Sequence, residues 1–542
     1  MGMGSNRLVR PLLTDQYQLS MAYAYWRAGT HARPATFHLF FRTNPFKGEF
    51  TIFAGLSECL AVLESWEYSD SDIAYLRTLL PTCEPEFFQF LQALRPSELH
   101  VSAMPEGSVC FPRVPLIMVT GPLVMVQLLE TIFLNLVNFS SLVATNAARF
   151  RLAAGPKVRL YEFGLRRAQG PDGGMSASKY SYLGGFHGTS NVLAGQQFGI
   201  PVCGTHAHSY VSSFSSLEEA AGCRLAPAAG APEARQAEEW LATCSSWRAA
   251  LAVSLGILEA EANQGELAAF VHYAAAFPTS FLALIDTYDV VKSGVLNFCA
   301  VGLALHTFGY KPLGVRIDSG DLSYLSNRVR EVLTRVADLH QLPYFAALEI
   351  TASNDINEET LVSLGEQGHS ITSYGIGTHL VTCQRQPALG GVYKLVSVAG
   401  RPRMKLSQDV AKMTLPGEKE AYRLFGVDGQ AILDLLQLPG EAPPAVGARV
   451  LCRHPVEASK RAWVTPRRVE RLHGVVWAAG ARVGARPGLA ELRERVGDQL
   501  KTLRPDHLRA LNPCQYKVSV SEQLYTFIHS LWLENAPIGE LY

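Results

Sequence analysis

From residue 158 to residue 378 one pattern recurs along the chain: a short run rich in β-branched and aromatic residues, a polar cluster where the run ends, then a segment of helical periodicity. The runs are VRLYEFGLRR (158–167), IPVCGTHAH (200–208), FLALIDTYD (281–289), LGVRIDSGD (313–321), LEITASND (348–355) and ITSYGIGT (371–378). Apolar runs bounded by polar residues read as buried strands, and strands alternating with helices read as right-handed βα units of a parallel sheet. Polar residues gathered at the C-terminal ends of such strands predict a barrel whose chemistry lies at that rim. Asp and Ser at a strand end also cap the helices that follow, so each end taken singly keeps two readings. Their recurrence at all six runs is what points to a site.

Outside this region the periodicity changes. Residues 12–112 alternate helical segments (15–27 and 85–94) with the β-rich pieces ATFHLFFR (35–42) and FTIFAGL (50–56), which predicts a mixed α+β lobe. The longest apolar region, 114–139, is interrupted by Gly121-Pro122 and carries Gln127, Glu130 and Asn135, so it reads as strand, turn and buried helix rather than a membrane span. Residues 218–239, rich in Ala, Pro and Gly, read as a mobile insertion without chemistry. LPGEAPPAVGAR (438–449) reads as a linker, and the tail as helical over 489–503 and 521–532. The expected organisation is an α+β N-terminal domain (1–145), an α/β barrel (146–390), a return segment packing on the N-terminal domain (391–445) and a mixed, helical C-terminal region (446–542).

Charge and cysteine usage narrow the class. Lys and Arg together match Asp and Glu at 48 each, so global charge offers no nucleic-acid or anionic-membrane surface, and any phosphate binding has to be local. The ten cysteines are dispersed with no CxxC pair and no histidine at zinc-finger spacing, which suits reduced thiols. MGMGSNRLVR leads into no apolar signal core, and Asn6 stands where a myristoylation pattern needs Ser or Thr. The expectation is a soluble cytosolic protein.

Several strand ends carry residues that could do chemistry. Gly375 to Thr378 (GIGT) would let backbone N–H groups approach an anion, in the part of a barrel where phosphate sites form, with Ser353-Asn354-Asp355 ending the preceding run. Arg316 and Asp318, two apart, share one face of a strand and need partners or a ligand, whereas Asp321 reads as the cap of a helix starting near Leu322. An arginine fork suits a carboxylate or phosphate, and Arg166 and Arg167 at the same end would make a positive mouth for a polyanion. Asp286 and Asp289 could orient a histidine, bind Mg2+ through a phosphate, or stabilise developing positive charge. His206 and His208 could be metal ligands, core histidines, or acid/base or nucleophilic groups.

Taken in order, LLTDQYQLSMAYAYW, ATNAARFR, EFGLRRAQGPDGG, SYLGGFHGTSNVLAG, GTHAHSYVSSF, VRIDSGDL, GIGTHLVT and GGVYKLV resemble the nicotinate phosphoribosyltransferase family, over about residues 12–407 and more weakly to the C-terminus. The resemblance implies the type II phosphoribosyltransferase fold, an incomplete α/β barrel joined to an α+β N-terminal domain, here with a C-terminal extension, working as a homodimer with shared sites. It implies transfer of a phosphoribosyl group from 5-phosphoribosyl-1-pyrophosphate to nicotinate, giving nicotinate mononucleotide for NAD synthesis, with Mg2+ and with ATP as co-substrate. By the same resemblance His208 accepts a phosphoryl group from ATP, as a neutral imidazole can near pH 7. Tyr17 and Phe163 would sandwich the pyridine ring, Tyr17 and the nearby Asp15 coming from the other subunit. Arg316, with Thr205 nearby, would hold the nicotinate carboxylate. Arg166, Gly377 and Thr378 would hold phosphoribosyl phosphates, and Asp286 and Asp318 would face the ribose, His208 or Mg2+. Amide-using relatives carry aspartate where HGTSNV has Ser190, which argues for nicotinate over nicotinamide, since a carboxylate would be repelled by that aspartate. The competing readings are an enzyme of the same fold acting on nicotinamide or quinolinate, a barrel lyase or isomerase acting on a sugar phosphate, and a catalytically silent binding protein.

Overall fold

The computed structural model describes residues 8–231, 235–405 and 414–535. Residues 1–7, read above for targeting signals, lie outside the described residues. The described chain divides into two compact units: one comprises the residues up to Ala148, Lys179–Gly185 and those from Cys383 onward, the other Arg149–Ser178 and Phe186–Thr382.

The second unit holds a six-stranded sheet in the order Gly188–Thr189, Arg159–Glu162, Ser373–Ile376, Glu349–Ala352, Gly314–Ile317, Leu282–Leu284, with every neighbouring pair parallel. Arg159–Glu162 precedes the other five strands in sequence and pairs with the last, Ser373–Ile376, while the edge strands Gly188–Thr189 and Leu282–Leu284 remain unjoined. The barrel is therefore incomplete, as expected. Helices Val295–Thr307, Leu322–His340 and Glu358–Gln367 make the crossovers between the last four strands. Val295–Thr307 is buried along almost its whole length, so its Leu and Val side chains each contribute about 1.5–3 kcal/mol relative to exposure.

Five of the six predicted runs supply strands; the run 200–208 does not. Its only β-pairing with the sheet among the described residues is an isolated bridge between Val202 and Thr189, and the two-residue strand Gly188–Thr189 takes the sixth place. Pro201 has no N–H to give a ladder, and only its carbonyl and the N–H of Cys203 engage Thr189. His208 accordingly opens a short helix, His208–Val211, instead of ending a buried strand.

The segment 218–239 also departs from expectation. Residues 232–234 lie outside the described residues. The rest packs closely: Cys223 and Leu225 are buried, Ala228 N–H donates to the Phe308 carbonyl, and Tyr310 Oη donates to the Ala226 carbonyl. Its small residues serve close approach, since a Cβ on Gly309, at φ +84°, would come within 3.1 Å of both Ala228 and Ala231.

The first unit holds an antiparallel seven-stranded sheet in the order Arg401–Pro402, Gly391–Val398, Pro34–Phe41, Ile117–Pro122, His100–Ala103, Gly474–Ala478, Ala481–Arg482. A second sheet runs Arg461–Val464, Val450–Arg453, Lys517–Val520, Ala431–Gln437, Glu420–Phe425, Arg468–Arg471. The region 446–542, read as mixed and helical, thus carries several strands besides the helices Leu489–Lys501 and Glu522–Asn535. At Gly121-Pro122 there is no turn; strand Ile117–Pro122 passes straight into helix Leu123–Leu128. Two helical stretches, Leu123–Ala154 and Val290–Thr307, are long and apolar enough to cross a membrane, but 61% and 83% of their apolar windows are buried within the fold, as in core helices.

Candidate active site

Because the strands of the second unit are parallel, their C-terminal ends lie along one rim, and the segments leaving them carry Phe163, Ser190, Asp286, Asp318, Ser353 and Gly377. On that rim His208 sits between two carboxylates. Its Nδ1 lies 3.1 Å from Thr287 Oγ1, and its Nε2 lies 3.5 Å from Asp318 Oδ2 and 3.9 Å from Asp286 Oδ1. The imidazole remains 43% exposed whereas the Asp286 carboxylate is 1% exposed, so the histidine is reachable and its neighbour is fixed.

Asp286 is held by one oxygen only. Oδ2 accepts from the Asp318 backbone N–H at 2.7 Å and from Ser319 Oγ at 2.6 Å, while Oδ1 is buried without a hydrogen-bond partner. Asp318 Oδ1 accepts from Ser353 Oγ at 2.8 Å, leaving Oδ2 toward His208. A buried acceptor with nothing donating to it carries a desolvation cost that a ligand would relieve.

Arg316 shows the complementary defect. Its Nη2 donates to the His206 carbonyl at 2.9 Å, but its Nε is buried and unpartnered. Burial lowers its pKa; Asp318 and Asp286 act the other way, and the nearby Arg166 charge adds to the lowering. Asp318 and Asp286 act on this guanidinium from a distance, and its Nε is left for an incoming acceptor.

His206 is a core residue and not a partner of His208. Its Nε2 accepts from the Leu284 N–H at 3.3 Å, which puts the ring proton on Nδ1, and its ring meets Tyr273 edge-on with centroids 4.8 Å apart. Burial, followed by the Arg316 charge, pushes its pKa down to about 4, so it stays neutral. Among the described residues no group of three or more His, Cys, Asp or Glu is arranged to hold a metal ion, and His206 Nε2 is already engaged by the Leu284 N–H.

Phe163 and the GIGT turn pack together. The Phe163 ring covers Gly375, where a Cβ would come 2.2 Å from Phe163 Cδ2. Gly164 fits against Val381 and the Gly377 carbonyl, with a Cβ again excluded. Arg166 and Arg167 lie exposed in the turn Leu165–Arg167, and Gly377 precedes the short helix Thr378–Val381. Thr205 is half-buried beside His206. The Ser190 N–H donates to the Glu162 carbonyl. Asp321 caps helix Leu322–His340 through the Tyr324 N–H, as expected. Asp289 proves to be a cap too, accepting from the Val291 and Lys292 N–H groups rather than orienting a histidine. Tyr17, 50% exposed, and Asp15, whose Oδ2 accepts from Thr131 Oγ1, belong to the other unit.

Two residues that sequence reasoning passed over stand out. Thr287 is the contact of His208. Glu162, buried at a strand end, accepts from the Gly164 N–H, from Ser178 Oγ at 2.8 Å and from Thr189 Oγ1 at 2.5 Å. The only signal for either was a polar residue inside or just after an apolar run.

Comparison with known proteins gives this rim a family. A model of the nicotinate phosphoribosyltransferase (NAPRTase) N-terminal domain matches residues 12–138, and one of its C-terminal domain matches residues 418–528. The nicotinate phosphoribosyltransferase of Caenorhabditis elegans is 55% identical, covering 99% of this chain and 96% of its own length. The chain belongs to the nicotinate phosphoribosyltransferase family. The enzyme of that name from Homo sapiens is 49% identical over 97% of this chain and 98% of its own. The crystal structure of human nicotinic acid phosphoribosyltransferase superposes with a TM-score of 0.86 at 46% identity, covering 96% of this chain and 99% of that one. A structure of nicotinate-nucleotide pyrophosphorylase from Pyrococcus furiosus, at 18% identity and a TM-score of 0.59, shares the fold. A nicotinate phosphoribosyltransferase has the type II phosphoribosyltransferase architecture described above, and membership sets aside the lyase, isomerase and silent-protein readings.

Proposed function

We propose that this chain joins nicotinate to 5-phosphoribosyl-1-pyrophosphate, forming nicotinate mononucleotide and pyrophosphate, and that ATP hydrolysis is coupled to the reaction through His208. The observation that carries the substrate reading is the half-buried Arg316 guanidinium with its buried Nε unpartnered: a carboxylate is the group that neutralises it and accepts its hydrogen bonds. Nicotinate would present its carboxylate there, near Thr205, with its ring on Phe163 and the partner subunit's Tyr17 on the opposite face. Asp15 would support that partner contribution in a homodimer.

Attack by the pyridine nitrogen on C1 of the ribose breaks the bond to pyrophosphate and develops positive charge on the sugar. The carboxylates of Asp286 and Asp318 would stabilise that charge, while Arg166, Gly377 and Thr378 hold phosphoribosyl phosphates. Asp286 Oδ1, buried and unpartnered, together with Asp318 suits a hard cation bound through few carboxylates and substrate phosphates. Mg2+ held there would screen the charge of the leaving pyrophosphate.

Phosphoryl acceptance at Nε2 of His208 needs the tautomer with the proton on Nδ1, in which Thr287 Oγ1, 3.1 Å away, would accept from Nδ1–H. Nε2 would then attack the γ-phosphorus of ATP, releasing ADP and leaving phosphohistidine. Cytosolic action fits the dispersed cysteines, which form no disulfide.

The test is turnover of nicotinate and of nicotinamide with phosphoribosyl pyrophosphate and Mg2+, with and without ATP, on wild type and His208→Ala. Nicotinate use with an ATP effect lost in the variant is expected. Preference for nicotinamide would overturn the reading of Arg316 and Ser190, and an ATP effect that survives His208→Ala would overturn the coupling role.

A further inference from the structure

The first unit contains a polar cavity unrelated to this chemistry. Across the seven-stranded sheet, Lys394 pairs with His38, His38 with Met118, Met118 with Ser102 and Ser102 with Val475, so these side chains share one face. A cavity of about 100 Å³ is lined by Ser102 and Met118 of that row and by Lys419, Arg471 and His473. That volume has room for several waters or one small oxyanion.

The cationic and donor groups around it are largely buried, and the carboxylates near them are engaged elsewhere. Lys419 is buried, and its ammonium donates to the carbonyls of Pro416, at 3.1 Å, and Gly417. Glu420, which also lines the cavity, is committed: Oε1 accepts from Arg471 Nη2 at 2.7 Å and Oε2 from Tyr422 Oη at 2.8 Å. Glu418, the one acid that supports the Lys419 charge, is exposed and engaged by Thr36. Burial pushes Lys419 down to about 7, with Glu418 opposing, and pushes His473 down to about 4, with Asp434 and Glu420 opposing and Arg471 adding.

His473 adds a directional feature. Its Nε2 lies 2.6 Å from the Pro115 carbonyl and so carries the ring proton. Nδ1 is then a buried acceptor with no partner. The His38 Nε2 nearby is likewise buried and unpartnered. A site with an ammonium, a hydroxyl and an imidazole acceptor needs a ligand that is anionic and also brings a proton to donate.

We propose that this cavity binds a protonated tetrahedral oxyanion, inorganic hydrogen phosphate, between Lys419, Ser102 and His473. Lys419 and Ser102 donate to its oxygens, and its own O–H donates to His473 Nδ1. Sulfate offers the charge but no proton at neutral pH, and fits less well. A phosphomonoester exceeds the cavity unless its ester group leaves through the opening.

The probe is arsenate, which keeps the proton and scatters anomalously, compared with selenate, which is fully deprotonated at neutral pH. Crystals of the full chain would be soaked in each. An arsenic peak within hydrogen-bond distance of Lys419 Nζ is expected, absent in Lys419→Met, with selenate occupancy at least tenfold lower at equal concentration. Oxyanion density near Arg166 and Thr378 serves as the internal control. An empty cavity in wild type with the control site filled overturns the proposal. A peak that persists unchanged in Lys419→Met also overturns it, and equal filling by selenate overturns the role of the proton. Should Lys419→Met fail to fold, the two oxyanions on wild type still decide.

Discussion

The Phe163 ring fills the space that a side chain on Gly375 would need, with Cδ2 and Cε2 lying 2.2 and 2.3 Å from where a Cβ would be. Any substitution of Gly375 therefore moves the ring. Since Gly375 is buried in the strand Ser373–Ile376 and its neighbours are fixed, the ring and not the strand should give way, at an overpacking cost of about 1–3 kcal/mol. Gly375→Ala is expected to raise the KM for nicotinate roughly tenfold or more, equivalent to about 1.4 kcal/mol, with a smaller effect on the KM for phosphoribosyl pyrophosphate. Steady-state kinetics with each substrate varied would check this. An unchanged nicotinate KM would remove Phe163 from the base site.

Thr287 tests the nitrogen chosen for phosphoryl acceptance. Thr287→Val keeps the shape and deletes the hydroxyl 3.1 Å from His208 Nδ1. A hydrogen bond of this kind contributes about 0.5–1.5 kcal/mol, so phosphohistidine formation from ATP should slow by roughly 2–10-fold while turnover without ATP stays near the wild-type rate. Thr287→Ser should recover most of the loss. Radiolabel transfer from the γ-phosphate of ATP under single-turnover conditions reads this out.

Glu162 ties together the turn at Gly164, the helix Gly170–Leu183 through Ser178 and the edge strand Gly188–Thr189 through Thr189. Glu162→Ala leaves these donors facing a void, and each unsatisfied buried group costs about 1–3 kcal/mol. The variant should melt several degrees lower and bind phosphoribosyl pyrophosphate more weakly, because Arg166 rides on the turn that begins at Gly164. Differential scanning fluorimetry with and without phosphoribosyl pyrophosphate would separate the two effects, since a purely structural role lowers both melting temperatures equally.

The barrel was legible because its strands are buried on both faces and so appear as compact apolar runs, and because parallel topology brings their polar ends to one rim. Arg316 inside the strand Gly314–Ile317 and Asp318 just past its end follow from the two-residue spacing of one run. The division of labour between His206 and His208 does not, since it depends on where the chain leaves the sheet: Pro201 prevents a ladder, and the two-residue alternation that would set both imidazoles on one face never applies. Glu162 and Thr287 act through partners distant in sequence, such as Thr189 for the first and His208 for the second. The C-terminal sheet escaped notice because strands such as Val450–Arg453 and Arg468–Arg471 are only four residues long, the second with arginine at both ends. A buried tie within it, the pair of Arg423 with Asp434, reads in sequence as ordinary surface charge.

The segment carrying Asp286 and Thr287 leads to Ser293 and Asn297, which hold a buried carboxyl whose titration should be visible in stability. Glu266 is buried, Oε2 accepting from Ser293 Oγ at 2.5 Å and from Asn297 Nδ2 at 3.0 Å, while Oε1 has no partner. Burial raises its pKa to about 7, the hydrogen bonds from Ser293 and Asn297 opposing and the charges of Asp286 and Asp289 adding to the rise. With the folded value above the unfolded one, the folded state binds the extra proton. The stability it gives is fully present below the unfolded value and is lost as pH rises through about 7. A tenfold change in proton affinity corresponds to about 1.4 kcal/mol, so the effect is on the order of 3 kcal/mol at most. His206 works in the opposite sense, because its folded pKa of about 4 makes stability rise with pH up to the unfolded range. The wild-type curve alone would blend the two, so the measurement is the difference between wild type and Glu266→Gln. The variant keeps the shape without the titration, and its melting temperature should gain on that of wild type as pH goes from 5 to 8. A constant difference across that range would mean that Glu266 does not take up a proton on folding.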